Sequence, residues 1–227
     1  MKIYTFQGSD VIDVIQNQPL PGNPVFADLI FRPRRNLAPS VVAGCGAYAI
    51  CFQNSLLYVG QYRGTIGAPF GGHVVRERWT KHLATLTLRG RRVSVPNQTI
   101  TELSSRYRDH PAVAGILDAD RKVVSKDKGC ISSLNRIRFA MQHWDDAFAD
   151  FNSGVLNRFT FLYGQIQPYA VSEDWIRGAV SDLERDLVAR LQPPCNGNVP
   201  AERARHHTLE QTRQAIEAAL SRLAPGA

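Results

Sequence analysis

Two apolar runs lie close together in the first third of the chain. Gly46–Phe52 and Leu56–Gly60 are separated by the polar triplet Gln53, Asn54 and Ser55, and the pattern predicts a β-hairpin with one tyrosine, Tyr48 and Tyr58, on each arm. Phe159, Phe161 and Tyr163 alternate within 157–163 and predict a third strand. Helical periodicity runs over 74–86, which carries Arg76, Arg78, Lys81 and His82; Arg78 and His82 share a face with Val75, because residues three and four apart are neighbours on a helix. It returns over 131–149, where Leu134, Ile137, Met141, Trp144 and Phe148 form an apolar stripe. The clearest helix spans 174–191, capped by Ser172 and stopped by Pro193 and Pro194.

Weaker signals fill the gaps. Residues 1–43 read as an N-terminal arm, with a short helix over 9–16, a turn over 20–24 and an edge strand over 25–31. Arg32, Arg34 and Arg35 follow and read as solvated arm surface. Between 61 and 73 there are five glycines or prolines, which make a loop with no phosphate-binding glycine pattern. Residues 87–99 alternate around Gly90 as a short basic hairpin, 101–107 starts a helix, and 201–223 is a charged, alanine-rich helical tail. The pattern over 113–117 and 122–125 assigns no element. The fold class expected is α+β: a small antiparallel three-stranded sheet flanked by helices. The divisions are an arm over 1–43, a core over 44–198 with a basic insertion at about 87–156, and a tail over 199–227.

Composition narrows the function. The 227 residues carry 27 Lys or Arg against 20 Asp or Glu, a net charge of +7, and the excess is local. Between Arg76 and Arg138 fourteen Lys or Arg face six Asp or Glu, so this segment is the candidate phosphate-facing surface. No apolar stretch is long enough to cross a bilayer, and Asp10 and Asp13 stand where a signal peptide would be apolar. The expected location is the cytoplasm, with no membrane partner. Cys45, Cys51, Cys130 and Cys195 lack zinc-knuckle spacing and are expected as free thiols.

Hydrolysis of a phosphodiester needs a group to activate water, charge to offset the pentacovalent phosphorus, usually a metal, and in-line alignment. Tyr48 is the candidate base or water-orienting group, and Tyr58 would bind water or phosphate from the neighbouring arm. Arg78 would clamp non-bridging oxygens with its guanidinium fork. His82 would accept a proton from Tyr48 or position it, and Lys81 would add positive potential. Glu184 would be the single carboxylate on a divalent cation, with waters completing the oxygen shell. Asn196 would brace the site or cap its own turn. Taken singly each is an ordinary strand or helix residue; only the combination carries weight. Asp118, Asp120 and Lys122 superficially resemble a carboxylate–lysine nuclease site but read as a charged turn.

In this order the residues resemble the GIY-YIG nuclease superfamily. The first motif stands as Gly46-Ala47-Tyr48 and the second as Tyr58-Val59-Gly60, with small apolar replacements that leave both tyrosines in place. The family's helix arginine falls on Arg78, its next-turn residue on His82, its metal-binding glutamate on Glu184 and its terminal asparagine on Asn196. The resemblance covers about 44–90 and 157–198. A histidine at 82, a long loop before Arg78 and a basic insertion are most similar to the type II restriction endonucleases of that superfamily.

The resemblance implies a Mg²⁺-dependent endonuclease, with Mn²⁺ able to substitute, that cuts double-stranded DNA at a specific short sequence as a homodimer. Tyr48, Tyr58, Arg78, His82, Glu184 and Asn196 would form the catalytic set. Lys81, Arg91, Arg92, Arg106, Arg136 and Arg138 are the DNA-binding candidates. Two alternatives stay open: a structure-selective or single-strand DNA nuclease in repair or defence, and a non-catalytic nucleic-acid-binding module.

Overall fold

The structure, a computed structural model, describes residues 2–20, 23–90, 93–118, 123–126, 132–166, 172–197 and 199–223. In chain order its elements are β1 (Lys2–Gln7), α1 (Gly8–Val11), β2 (Ile12–Leu20), β3 (Asn23–Pro33), α2 (Pro39–Val42), β4 (Cys45–Phe52) and β5 (Ser55–Arg63). A widened π-helical turn over Val75–Trp79 leads directly into α3 (Thr80–Leu86). Then come β6 (Val93–Pro96), α4 (Asn97–Arg106), α5 (Pro111–Asp118), β7 (Val123–Lys126), α6 (Ser132–Gln142) and a second π turn over Trp144–Phe148. The chain closes with α7 (Ser153–Leu156), β8 (Phe159–Gln165), α8 (Glu173–Leu191) and α9 (Leu209–Ser221).

The fold is α+β around an antiparallel sheet of order β1-β8-β4-β5. The expected hairpin and third strand are its β4, β5 and β8. The expected count of three strands is corrected to four, because Lys2–Gln7 of the supposed arm pairs with Thr160–Gln165 of β8. Both faces of the sheet are covered. Every residue of β4 is buried, and its alternation sorts them. Tyr48, Ile50 and Phe52 point into a core shared with Trp79, Leu83, Ile137 and Phe148. Cys45, Ala47, Ala49 and Cys51 point the other way, toward Val180, Leu183 and Leu187 of α8 and Ile216 of α9. Small residues on that second face let two helices approach the sheet closely.

Helix α8 forms as its ends dictate: Ser172 accepts from the Trp175 backbone N–H at one end, and Gln192 turns left-handed (φ 44°) at the other. The tail helix is shorter than its composition suggested, because Thr208 and Gln211 form a capping box that starts α9 at Leu209. Several other expectations change. The helix over 9–16 is a single turn, after which Ile12 begins a strand paired with β3. The described residues of 87–99 form no hairpin pair; β6 pairs in parallel with β7, and α4 begins at Asn97. The helix over 131–149 breaks at His143 (φ −107°, ψ 19°) and resumes as the π turn.

Candidate active site

The site is built across β5, the edge strand of the sheet. Tyr48 on β4 stands directly opposite Gly60 on β5, and its ring lies over that glycine. A Cβ at Gly60 would come within 2.5 Å of both Tyr48 Cζ and Oη. The glycine of the second motif is therefore the space that Tyr48 occupies. Tyr58, two residues earlier on the same face of β5, places its ring centroid 6.2 Å from that of Tyr48. Both tyrosines are buried, at 2% and 7% exposure.

Helix α3 supplies the partner. Tyr48 Oη lies 2.7 Å from His82 Nε2, and the His82 ring packs on Tyr58 with centroids 4.5 Å apart. The π turn fixes the phase of this helix by directing the Thr80 N–H to the Val75 carbonyl, and Trp79 anchors it by stacking on Phe161 at 4.6 Å. Arg78 lies inside the widened turn and faces solvent, while His82, one turn on, is buried; the face expected to carry both is split between solvent and core. Among the described residues Arg78 makes no hydrogen bond or ion pair, yet its charge acts on Tyr48, Tyr62, His82 and Glu184. That is the position of a cation free to meet a phosphate. Lys81, also exposed, adds its charge at His82.

On the other side of β5, Val59, Gln61 and Arg63 alternate toward α8. Gln61 Nε2 donates to Glu184 Oε2 at 2.5 Å, and Arg63 Nε donates to Gln61 Oε1 at 2.7 Å. Ser181, one turn before Glu184, accepts from Arg63 at 3.0 Å and donates to Gln61 at 3.2 Å. Burial raises the Glu184 pKa above the ordinary carboxylate value, opposed by the Gln61 amide and by the Arg63 and Arg78 charges. A divalent cation fits this donor set in one respect: Glu184 offers a carboxylate set in place by Gln61, whose side chain donates to Oε2 and whose backbone N–H also acts on the carboxylate. Among the described residues no group of three His, Cys, Asp or Glu gathers, so Glu184 would need waters or other oxygens to complete a shell. That suits Mg²⁺, which keeps waters and takes oxygens from a substrate phosphate.

Asn196 braces this arrangement and does not face it. Its Nδ2 donates to the Val59 carbonyl at 2.8 Å and its Oδ1 accepts from the Val59 N–H at 2.9 Å. The side-chain amide thus replaces a neighbouring strand for the buried outer edge of β5 at Val59, between Tyr58 and Gly60. Asn135 of α6 in turn donates to the Asn196 carbonyl at 3.1 Å.

The basic candidates separate. Arg136 is 6% exposed, and its NH1 lies 2.6 Å from His82 Nδ1 with its guanidinium 5.6 Å from the Tyr58 ring centre. Its place is inside the site, not on the DNA-facing surface expected for it. Arg138 is held by Glu102 at 3.0 Å and lies over the Tyr107 ring. Arg106 is largely exposed, with a 3.7 Å pairing to the same Glu102. Arg91 and Arg92 lie outside the described residues, as do Asp120 and Lys122.

Burial dominates the protonation states. The Tyr48 pKa is pushed well above 10 by desolvation and by Tyr58, with Arg78 and Arg136 pulling it back and Glu184 adding to the rise. The His82 pKa is driven well below 6.5 by desolvation, then by Arg136, Arg78 and Lys81. Both groups are neutral in the resting protein. Gln61, Arg63 and Ser181 were not singled out from sequence; the strand alternation that sends Val59 toward α8 is the signal that places the first two there. In comparisons with known proteins, no family model, no curated protein and no solved structure matches the chain.

Proposed function

We propose that this protein is a metal-dependent endonuclease that hydrolyses phosphodiester bonds of double-stranded DNA at a specific sequence, as a GIY-YIG type II restriction endonuclease does. One observation carries the reading: a buried Tyr48–His82 pair 2.7 Å apart stands within electrostatic reach of a half-buried Glu184 and of an exposed Arg78 that has no ion pair among the described residues. These are a base, an oxyanion clamp and a cation ligand, drawn from β4, the π turn before α3, and α8.

In this reading Tyr48 first gives its hydroxyl proton to solvent. The attacking water then forms its bond to phosphorus as the bond to the leaving oxygen breaks, and one water proton passes to the Tyr48 phenolate. The leaving oxygen takes a proton from solvent. Arg78 offsets charge on the non-bridging oxygens. Glu184 would hold the cation, and the cation would supply the charge that polarises the phosphate. Gln61 and Arg63 fix the Glu184 carboxylate, and Asn196 holds the strand that carries Tyr58. A palindromic site requires one active site per strand, so the working form is a homodimer in the cytoplasm.

The test is cleavage of unmethylated phage DNA with Mg²⁺, comparing wild type with Glu184→Ala. Discrete bands that vanish in the variant are expected. Cutting confined to branched or single-stranded DNA would replace the site-specific reading with the structure-selective one. DNA binding without cutting under Mg²⁺ or Mn²⁺ would overturn the catalytic assignment.

A further inference from the structure

Arg136 lies in the segment whose positive charge suggested a DNA surface, yet it is buried against two members of the candidate catalytic set. We infer that Arg136 is a positioning residue: by donating to His82 Nδ1 it fixes the imidazole tautomer, so that His82 donates its Nε2–H to Tyr48. This deepens the nuclease reading and rests on it.

Arginine has only donors, so the 2.6 Å contact requires Nδ1 to offer a lone pair. A neutral imidazole that accepts at Nδ1 carries its proton at Nε2. The 2.7 Å contact to Tyr48 is then N–H to oxygen, with Tyr48 Oη accepting. This reverses one role weighed for His82, acceptance of a proton from Tyr48.

The reversal suits a phenolate base. A hydroxyl that donated to His82 would aim its proton into the protein. One that accepts from His82 directs its own O–H away from the ring, and after that proton leaves, the Nε2–H stays to stabilise the oxygen's charge. The other alternative, an Nδ1–H tautomer, would set that N–H against the Arg136 N–H with no acceptor between them. Arg136 is well held for the task. Its guanidinium lies over Tyr58, and Asn135 beside it ties α6 to the Asn196 segment bracing β5. The ionisable groups around His82 are Tyr48 from β4, Tyr58 from β5, Arg136 from α6, and Arg78 and Lys81 on its own helix stretch. No carboxylate is among the groups shifting its titration, so nothing there favours a resting imidazolium.

The distinguishing variant is Arg136→Met. Without the donor, neutral His82 is free to take either tautomer, and Tyr48 loses its fixed orientation. The readout is the ring itself: nitrogen-15 NMR at neutral pH is expected to show His82 pass from a protonated Nε2 in the wild type to a mixture of both tautomers in the folded variant. A purely packing role for Arg136 would leave the tautomer unchanged, and an unchanged tautomer overturns the proposal.

Two measurements hold if Arg136→Met fails to fold. Nitrogen-15 NMR of the wild-type histidines, with His82 assigned by its loss in His82→Gln, is expected to show a protonated Nε2 and a bare Nδ1. The Nδ1–H form would refute the inference whether or not the protein cuts DNA, which separates it from failure of the nuclease reading. His82→Gln keeps an amide N–H at the Nε2 position but has no basic nitrogen. It is expected to retain cleavage within about tenfold of wild type, whereas His82→Ala falls by about 10²-fold or more. Equal loss in both variants would return His82 to the role of proton acceptor.

Discussion

Adding one methyl group at Gly60 tests whether Tyr48 is placed as described. The new Cβ would stand 2.5 Å from Tyr48 Cζ and Oη and 2.8 Å from Tyr58 Cε1, where ordinary contacts begin near 3.4 Å. The Tyr48 ring must retreat by about 0.9 Å, and little space is open to it. It is 2% exposed, its hydroxyl already sits 2.7 Å from His82, and Trp79 meets it edge-on. The hydroxyl must slide off the His82 axis. Overpacking of this kind costs about 1–3 kcal/mol, and at about 2–4 °C per kcal/mol for a chain of this size, Tm should fall by about 2–12 °C. A displacement of nearly 1 Å at a reacting group costs about 10² in rate. Gly60→Ala is therefore expected to lower kcat/KM for DNA cleavage about 100-fold while the protein stays folded. In a Tyr48→Phe background the same change should cost much less rate, because the hydroxyl it displaces is already gone and only the contacts with the ring Cζ at 2.5 Å and with Tyr58 Cε1 at 2.8 Å remain. Gly67→Ala is the control: its Cβ meets nothing within 4 Å, so only the strain of its φ of +73° is added and the rate is unchanged. Gly60→Ala cleaving within about threefold of wild type, with Tm unmoved, would refute the placement of Tyr48 over the edge strand.

Other expectations follow from the same geometry. Glu184 has its folded pKa raised, so its favourable contribution is complete below the unfolded value and is lost as pH rises through the folded one. Glu184→Gln should therefore abolish cleavage yet raise Tm at neutral pH, with the gain fading toward about pH 4, as differential scanning calorimetry would register. A lower Tm at neutral pH would contradict it. Asn196→Ala should lose stability and rate together, by about 2–4 kcal/mol in urea denaturation, because both backbone groups of Val59 lose their partners at a buried edge. Gly178, inside α8 with nothing within 4 Å of a new Cβ, should gain about 0.5–1 kcal/mol on replacement by Ala, with cleavage unchanged. Burial pushes the Cys45 thiol up to about 11 and those of Cys51 and Cys195 to about 12, so none of the three should react with a thiol reagent until the chain is denatured.

What the sequence reveals and what it hides divide along a physical line. β4, β5, β8 and α8 are legible because each is specified by its own pattern: apolar runs with a polar break, an alternation of aromatics, a serine cap and a proline stop. β1 is not legible as a sheet strand, although Tyr4 and Phe6 stack on one side of it, because its partner β8 begins more than 150 residues later. The parallel pairing of β6 with β7 hides for the same reason, since a parallel pair needs a crossover and no local turn announces it.

The site follows the same rule, and Arg136 is the sharpest case. A helical arginine in a basic segment reads as surface because side-chain charge is ordinarily solvated. It is buried here only because two other elements, β5 with Tyr58 and α3 with His82, meet α6 at that point and offer a ring face and a lone pair. Gln61 and Arg63 were nearer to view. Once Tyr58 and Gly60 are assigned to one face of β5, alternation alone sends Val59, Gln61 and Arg63 to the other, where α8 presents Ser181 and Glu184 one turn apart. The edge strand is therefore the element that joins base and carboxylate: its two faces carry the two halves of the site, and the glycine without a side chain is where Tyr48 reaches across.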